Sequence, residues 1–268
     1  MMKRLFATCT ITLMTLGAAT FSEPINIAEN IQAPWTQDDT ITIVVQRASD
    51  EHIWISNPSR AARQFSPAST SKIPHTLIAL ETELATPDTL FPWDGILRSS
   101  PHWNKDQTLQ SAFQHSAVWV FQNIAQAAGV EVVADGLAQL TYGNEDVGTD
   151  RQLTTYWLDG TLQISAFEQV DFLMRLVRKQ LPVSAETYRA AQDIMISDQS
   201  DDWVMRAKTG WYDASNDMDI GWFIGWVTCA NDTYVFAMNM DMPDTRFLSK
   251  RKDVAYSALT AIGSFDCE

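Results

Sequence analysis

The spacing of apolar positions along this chain changes twice. Residues 41–47 and 52–55 are dense in apolar and β-branched side chains, with Ser49 and Asp50 between them, and read as a strand pair. Across 111–128 and 131–140 the apolar residues recur at helical spacing, and Gly129 caps the junction. Ser165 and Glu168 form a capping-box pair that opens a helix over 165–180. Pro182 follows its end, and Ser184 opens another helix through Met195. The last third returns to strands at 203–212, 220–229 and 234–240, all rich in aromatic and β-branched residues. Asn231-Asp232 marks a tight turn between the last two, and 252–264 reads as a terminal helix.

This order predicts an α+β fold. The N- and C-terminal strands would build one antiparallel sheet flanked by helices, with an all-helical lobe at about 66–200 inserted into it. Residues 20–268 then form a single two-lobed unit. A small-molecule pocket is expected between the lobes.

Residues 1–19 do not fit that unit. Lys3 and Arg4 precede a mostly apolar run, and Gly17-Ala18-Ala19 supplies small residues for cleavage, so this is a secretory signal peptide. No later stretch approaches ~18 consecutive apolar residues. The expectation is a soluble protein exported to a bacterial periplasm, without stable membrane association after cleavage. With 46% hydrophobic and 19% charged residues the chain is globular rather than disordered. Its formal charge of −14 argues against nucleic acid and anionic membrane as partners. Cys9 lies in the signal segment. Cys229 and Cys267 remain in an oxidising compartment, where they can pair or stay as two buried thiols. His52, His75, His102 and His115 show no metal-binding spacing, and no metal is expected.

The candidate chemistry lies in Ser69-Thr70-Ser71-Lys72. If this run enters a helix, Ser69 and Lys72 share a face. A serine needs an adjacent base to attack anything, and a lysine serves only when burial depresses its pKa. A helix N-cap is the ordinary alternative for Ser69, and Ser249-Lys250-Arg251-Lys252 spells the same S-x-x-K pattern. Four later segments matter by their order: Ser116-Ala117-Val118 in a helical stretch, Tyr142-Gly143-Asn144, Trp157-Leu158-Asp159-Gly160, and Lys208-Thr209-Gly210 in a strand. No G-x-S-x-G elbow is present.

Taken in that order, the motifs resemble those of the class D serine β-lactamases, the oxacillinase type. The resemblance runs from about Phe65 to Arg251 and includes Gly221-Trp222-Phe223-Ile224-Gly225-Trp226 and Asn239-Met240-Asp241-Met242. It implies hydrolysis of penicillin- and cephalosporin-type antibiotics through a Ser69 acyl-enzyme. It further implies that Lys72, carboxylated on Nζ by carbon dioxide, is the general base, with no dissociable cofactor. Trp157 would hold that carbamate and Val118 would shield it. The backbone amides of Ser69 and Trp211 would form the oxyanion hole. Ser116 would pass a proton to the leaving nitrogen, helped by Lys208. Thr209 and Arg251 would bind the substrate carboxylate, with Arg246 competing for the role of Arg251, and Gly210 would belong to the substrate-binding surface. Trp103 and Leu158 would line the side-chain region, and Tyr142 and Asn144 would shape the pocket. The rival reading is a β-lactam sensor or transpeptidase-like domain that acylates without turnover. The chain departs from the family pattern at Ser71, where phenylalanine is usual, and at Trp119, where proline is common.

Overall fold

The computed structural model describes residues 23–27, 40–215, 217–230 and 232–267. The signal segment, Cys9 and Asn231 of the expected turn lie outside the described residues. In chain order the elements are β1 (Ile25–Asn26), β2 (Ile41–Arg47), β3 (Ile53–Ile55), α1 (Pro58–Ala61), α2 (Lys72–Glu81), β4 (Leu90–Phe91), β5 (Gln107–Thr108), α3 (Leu109–Gln114), α4 (Val118–Ala128), α5 (Val130–Leu140), α6 (Ala166–Val177), α7 (Ala185–Ile194), β6 (Ile196–Gln199), β7 (Trp203–Tyr212), β8 (Asp219–Cys229), β9 (Asp232–Met242) and α8 (Lys250–Ala261). Tight 3-10 turns at Ala68–Ser71 and Thr245–Leu248 lead toward α2 and α8.

The expected α+β architecture is present. Seven strands form one sheet in the order β1-β3-β2-β9-β8-β7-β6. Its pairs are antiparallel except β1 with β3. The order follows from period-two patterning on long central strands. In β8, Trp222, Ile224 and Trp226 enter the core beneath the helices, while Phe223 and Val227 enter a second core beneath α8. In β9 the same split puts Val235 and Ala237 on one face and Phe236, Met238 and Met240 on the other. A strand buried on both faces cannot slip by one residue without inverting both cores. Helix α6 packs on β9, β2 and β8, while α2 packs among α4, α5 and α7.

The caps were legible. Ser165 and Glu168 make the reciprocal capping box of α6, and the Ser184 side chain caps α7. Gly129 separates α4 from α5 with φ +80°, a conformation that favours glycine. One expected helix is wrong. The stretch 111–128 is two helices, α3 and α4, because Ser116 adopts φ +55° and Ala117 is extended. Ser116 therefore lies in a break and not within a helix. Strand β6, the β4–β5 pair and α1 carry too few apolar residues to stand out in the sequence. Cys229 and Cys267 are disulfide-bonded, with Cα atoms 5.1 Å apart across 38 residues of chain. Closing a loop of that length stabilises by about 4 kcal/mol in the chain-entropy picture.

Candidate active site

The Ala68–Ser71 turn delivers Ser69 at the entrance to α2, and Lys72 opens the helix. Ala68, just before the nucleophile, has φ +48°, so both Ser69 and the Ser116 break are held by left-handed non-glycine backbone. Lys72 Nζ donates to Ser69 Oγ at 3.0 Å. Ser69 is half-buried, but Lys72 has 0% exposure. Its Nζ lies 5.0 Å from the centre of the Phe121 ring. Burial alone pushes the Lys72 pKa down from 10.5 to about 7. The N-cap alternative for Ser69 is not what forms: no side-chain cap bond is made at this helix start.

The second lysine reaches the same cleft from the sheet. Lys208 on β7 is 5% exposed, far from the edge-strand lysine that its surroundings in sequence allow. Its Nζ donates to Ser116 Oγ at 2.5 Å and to the Thr209 carbonyl at 3.0 Å. Burial, and then the charges of Lys72, Arg251 and Lys252, hold its pKa well below the ordinary value. Gly210 lets β7 press against the Ser69 turn. A Cβ there would lie 2.8 Å from the Pro67 carbonyl oxygen and 3.1 Å from Thr70 Cγ2. This close approach brings the Gly210–Trp211 backbone alongside Ser69. The Trp211 side chain is itself 38% exposed and donates to Asp219 at 2.8 Å.

Strand β6 pairs only with Val204–Arg206 of β7. Beyond it, among the described residues, no strand pairs with the edge at Lys208–Trp211.

Trp157 is fully buried, and its Nε1 has no hydrogen-bond partner among the described residues. Its ring meets His75 edge-on at 4.8 Å, one turn along α2 from Lys72. Ser66 Oγ donates to the Trp157 carbonyl at 2.9 Å and so anchors its loop to the Ser69 segment. Val118 is half-buried at the start of α4. Ser71 Oγ donates to the Ala68 carbonyl at 2.7 Å, so this unusual small side chain is satisfied by its own turn.

The remaining expected residues separate into neighbours and supports. Arg251 donates to the Gly210 carbonyl at 2.5 Å and the Leu248 carbonyl at 2.8 Å, and burial lowers its pKa to about 10. Its competitor Arg246 is 86% exposed and paired with Asp244. Trp103 is half-buried and donates to the His115 carbonyl at 2.9 Å, bracing the Ser116 break from outside. Leu158 packs on the helical core beside Trp157. Tyr142 is wholly buried behind the turn, where its hydroxyl accepts from Gln169, which also donates to Thr70 Oγ1 at 3.0 Å. Asn144 ties two loop strands together, donating to Thr161 and accepting from Gln163. Tyr142 and Asn144 thus hold the shape of the site from outside it.

Residues 38–260 match the penicillin binding protein transpeptidase domain family. Beta-lactamase OXA-20 of Pseudomonas aeruginosa is 40% identical over 227 residues, covering 84% of this chain and 83% of that protein. The chain belongs to the class D β-lactamases. A solved class D β-lactamase from Nostoc has TM-score 0.84 at 35% identity, covering 89% of this chain and 99% of that one. The C-terminal domain of the Bacillus licheniformis BlaR penicillin receptor has TM-score 0.82 at 29% identity, covering 91% and 97%. In this class D chain the motif order did not single out a buried support for the reaction pocket. His75 Nε2 is hydrogen-bonded to the Tyr156 hydroxyl, and both side chains are buried against Trp157. Burial and the nearby Lys72 charge push the His75 pKa to about 3, so its ring is neutral. The signal available in sequence was an ionisable residue among the apolar positions of α2.

Proposed function

We propose that this protein hydrolyses penicillin- and cephalosporin-type β-lactams through an acyl-enzyme on Ser69. One observation carries this reading: a fully buried lysine with a depressed pKa, 3.0 Å from a half-exposed serine hydroxyl. Neutral Lys72 takes the proton as Ser69 Oγ attacks the lactam carbonyl. The carbonyl oxygen, negative in the tetrahedral intermediate, meets the backbone N–H groups of Ser69 and Trp211. As the C–N bond breaks, Ser116 gives its proton to the ring nitrogen, and the Lys208 N–H that it accepts at 2.5 Å steadies the oxygen left behind. Thr209 and Arg251 hold the ring carboxylate. Arg251 already spends two N–H groups on backbone carbonyls, so it acts with what remains of its fork.

The site also fits carboxylation of Lys72. A neutral amine is what carbon dioxide requires, and the unpartnered N–H of Trp157 is a donor for a buried anion. When present, the carboxylated amine supplies an anionic base for the water that releases the acyl chain. Trp157 would hold it, and Val118 would limit access of bulk water. Export to the periplasm belongs to the same reading. The Cys229–Cys267 bridge supports an oxidising compartment, and no described helix is long and apolar enough to cross a membrane.

The test is turnover of a chromogenic cephalosporin by the mature protein with and without bicarbonate. Continuous hydrolysis, faster with bicarbonate, is expected. A burst of one equivalent without turnover would instead assign the sensor role suggested by the likeness to the penicillin receptor.

A further inference from the structure

A polar cavity of about 350 Å³ lies along β7 and shares Lys208 and Thr209 with the candidate site. It begins where β6 stops pairing and the Ala207 amide donates instead to the Met195 carbonyl. Lys208 and Thr209 belong to its wall. Gln114 and His115 close it from the end of α3, Ser197 from β6, and Lys252 from the first turn of α8. Thr209 and Phe223 are cross-strand partners, and Lys252 Nζ lies 5.7 Å from the centre of the Phe223 ring. The α8 ammonium is therefore held over the same strand pair that presents Thr209.

Its charge is opposite to that of the protein. The chain has 33 acidic residues against 19 basic, yet no aspartate or glutamate lines this cavity. Lys250 on the same helical turn pairs with Asp253 at 3.0 Å. Among the described residues, no carboxylate makes a comparable pair with Lys252. A wall with one exposed ammonium, a buried lysine, an imidazole, a hydroxyl and a side-chain amide, without a carboxylate, selects for anions.

We propose that this cavity is an anion-accepting subsite for a second acidic group, a sulfonate or carboxylate, carried on the ring side of a β-lactam. Lys252 supplies the charge, while Gln114, His115 and Ser197 supply hydrogen bonds. The ring carboxylate is placed at Thr209, so a substituent on the neighbouring ring carbon of a cephalosporin extends into this space. The proposal rests on the reading of the Ser69 cleft as the β-lactam site.

The experiment uses two cephalosporins that differ only by a methyl or a sulfomethyl group on the tetrazole of the 3′ substituent. Each competes against a chromogenic cephalosporin, which gives a Ki even where its own turnover is slow. Lys252→Gln is expected to raise the ratio of sulfomethyl Ki to methyl Ki roughly threefold to tenfold, as for loss of a partly exposed charge-assisted contact. Added salt is expected to shrink the wild-type preference. Lys250→Gln should leave the ratio at the wild-type value. An unchanged ratio in Lys252→Gln, or the same rise in Lys250→Gln, would overturn the subsite. Full turnover of the chromogenic compound by Ser69→Ala would overturn the underlying cleft reading instead.

Discussion

Ser69-Thr70-Ser71-Lys72 and Ser249-Lys250-Arg251-Lys252 spell the same pattern, and each follows or completes a 3-10 turn at the entrance to a helix. Their chemistry diverges because their helices are buried differently. Helix α2 is packed among α4, α5 and α7, and every residue from Lys72 to Ala79 is buried. Helix α8 buries only Val254, Ala255, Ala258 and Leu259 fully, and in its first turn Lys252 is exposed while Arg251 turns inward to the Gly210 carbonyl. Lys72 consequently loses its charge near neutrality, whereas Lys252 is exposed and has no such burial. The spacing brings hydroxyl and amine together, but surrounding dryness makes the pair reactive.

The largest effect expected from this contrast is on the hydroxyls. Ser69→Ala should lower kcat/KM by roughly 10⁴ or more, as for removal of a nucleophile. Ser249→Ala should leave it at the wild-type value in the same steady-state assay. Equal effects would erase the distinction between the two runs.

The lysine gives a sharper test. Because the folded pKa of Lys72 is about 7 and its ordinary value 10.5, the unfolded chain binds more protons between these limits. This group therefore adds stability as pH rises across that window and removes it as pH falls toward about 7. Lys72→Met should abolish turnover and raise Tm at pH 7, with the gain shrinking toward pH 10. A Tm that falls at pH 7 would mean that Lys72 does not carry a burial penalty. In the wild type, kcat/KM should climb with pH through about 7 as the amine deprotonates.

Smaller effects should follow at the edge of the dry pocket. Trp157→Phe keeps an aromatic ring, though a smaller one, and deletes the donor, so turnover should drop about 10- to 100-fold, typical for one hydrogen bond to a charged group. The ¹³C signal from labelled carbon dioxide on Lys72 should weaken in parallel, and excess bicarbonate should restore part of the rate. An undiminished signal would remove Trp157 from that role. Farthest from the contrast is Cys267→Ser beneath α8. It should cost about 2–4 kcal/mol in denaturant unfolding and leave kcat/KM unchanged, because the bridge lies in the other core.

Much of the sheet was legible because its central strands are long and strongly patterned. Strand β7 has the expected ends, and β8 and β9 extend the expected spans by one to four residues. The helix over 111–128 was misread because its composition is continuous, while its break depends on the left-handed backbone of Ser116. Nothing local to Lys208 distinguishes a buried lysine from an exposed one. Its amine lies against Phe113 of α3 and Ser116, and those contacts are distant in sequence. Arg251 was legible as a candidate, but its bond to Gly210, which is distant in sequence, arises only when α8 packs on the sheet.

By itself the sequence determined which residue types recur in which order, and therefore the family, the strands and the capped helices. Local patterning suffices for these because they depend on period, turn chemistry and short motifs. Only the tertiary structure decided which S-x-x-K run carries a depressed lysine and which cysteines close a loop. It also decided where an acidic chain gathers a cavity without carboxylates. Each of these depends on desolvation or proximity between distant segments, and both are created by packing.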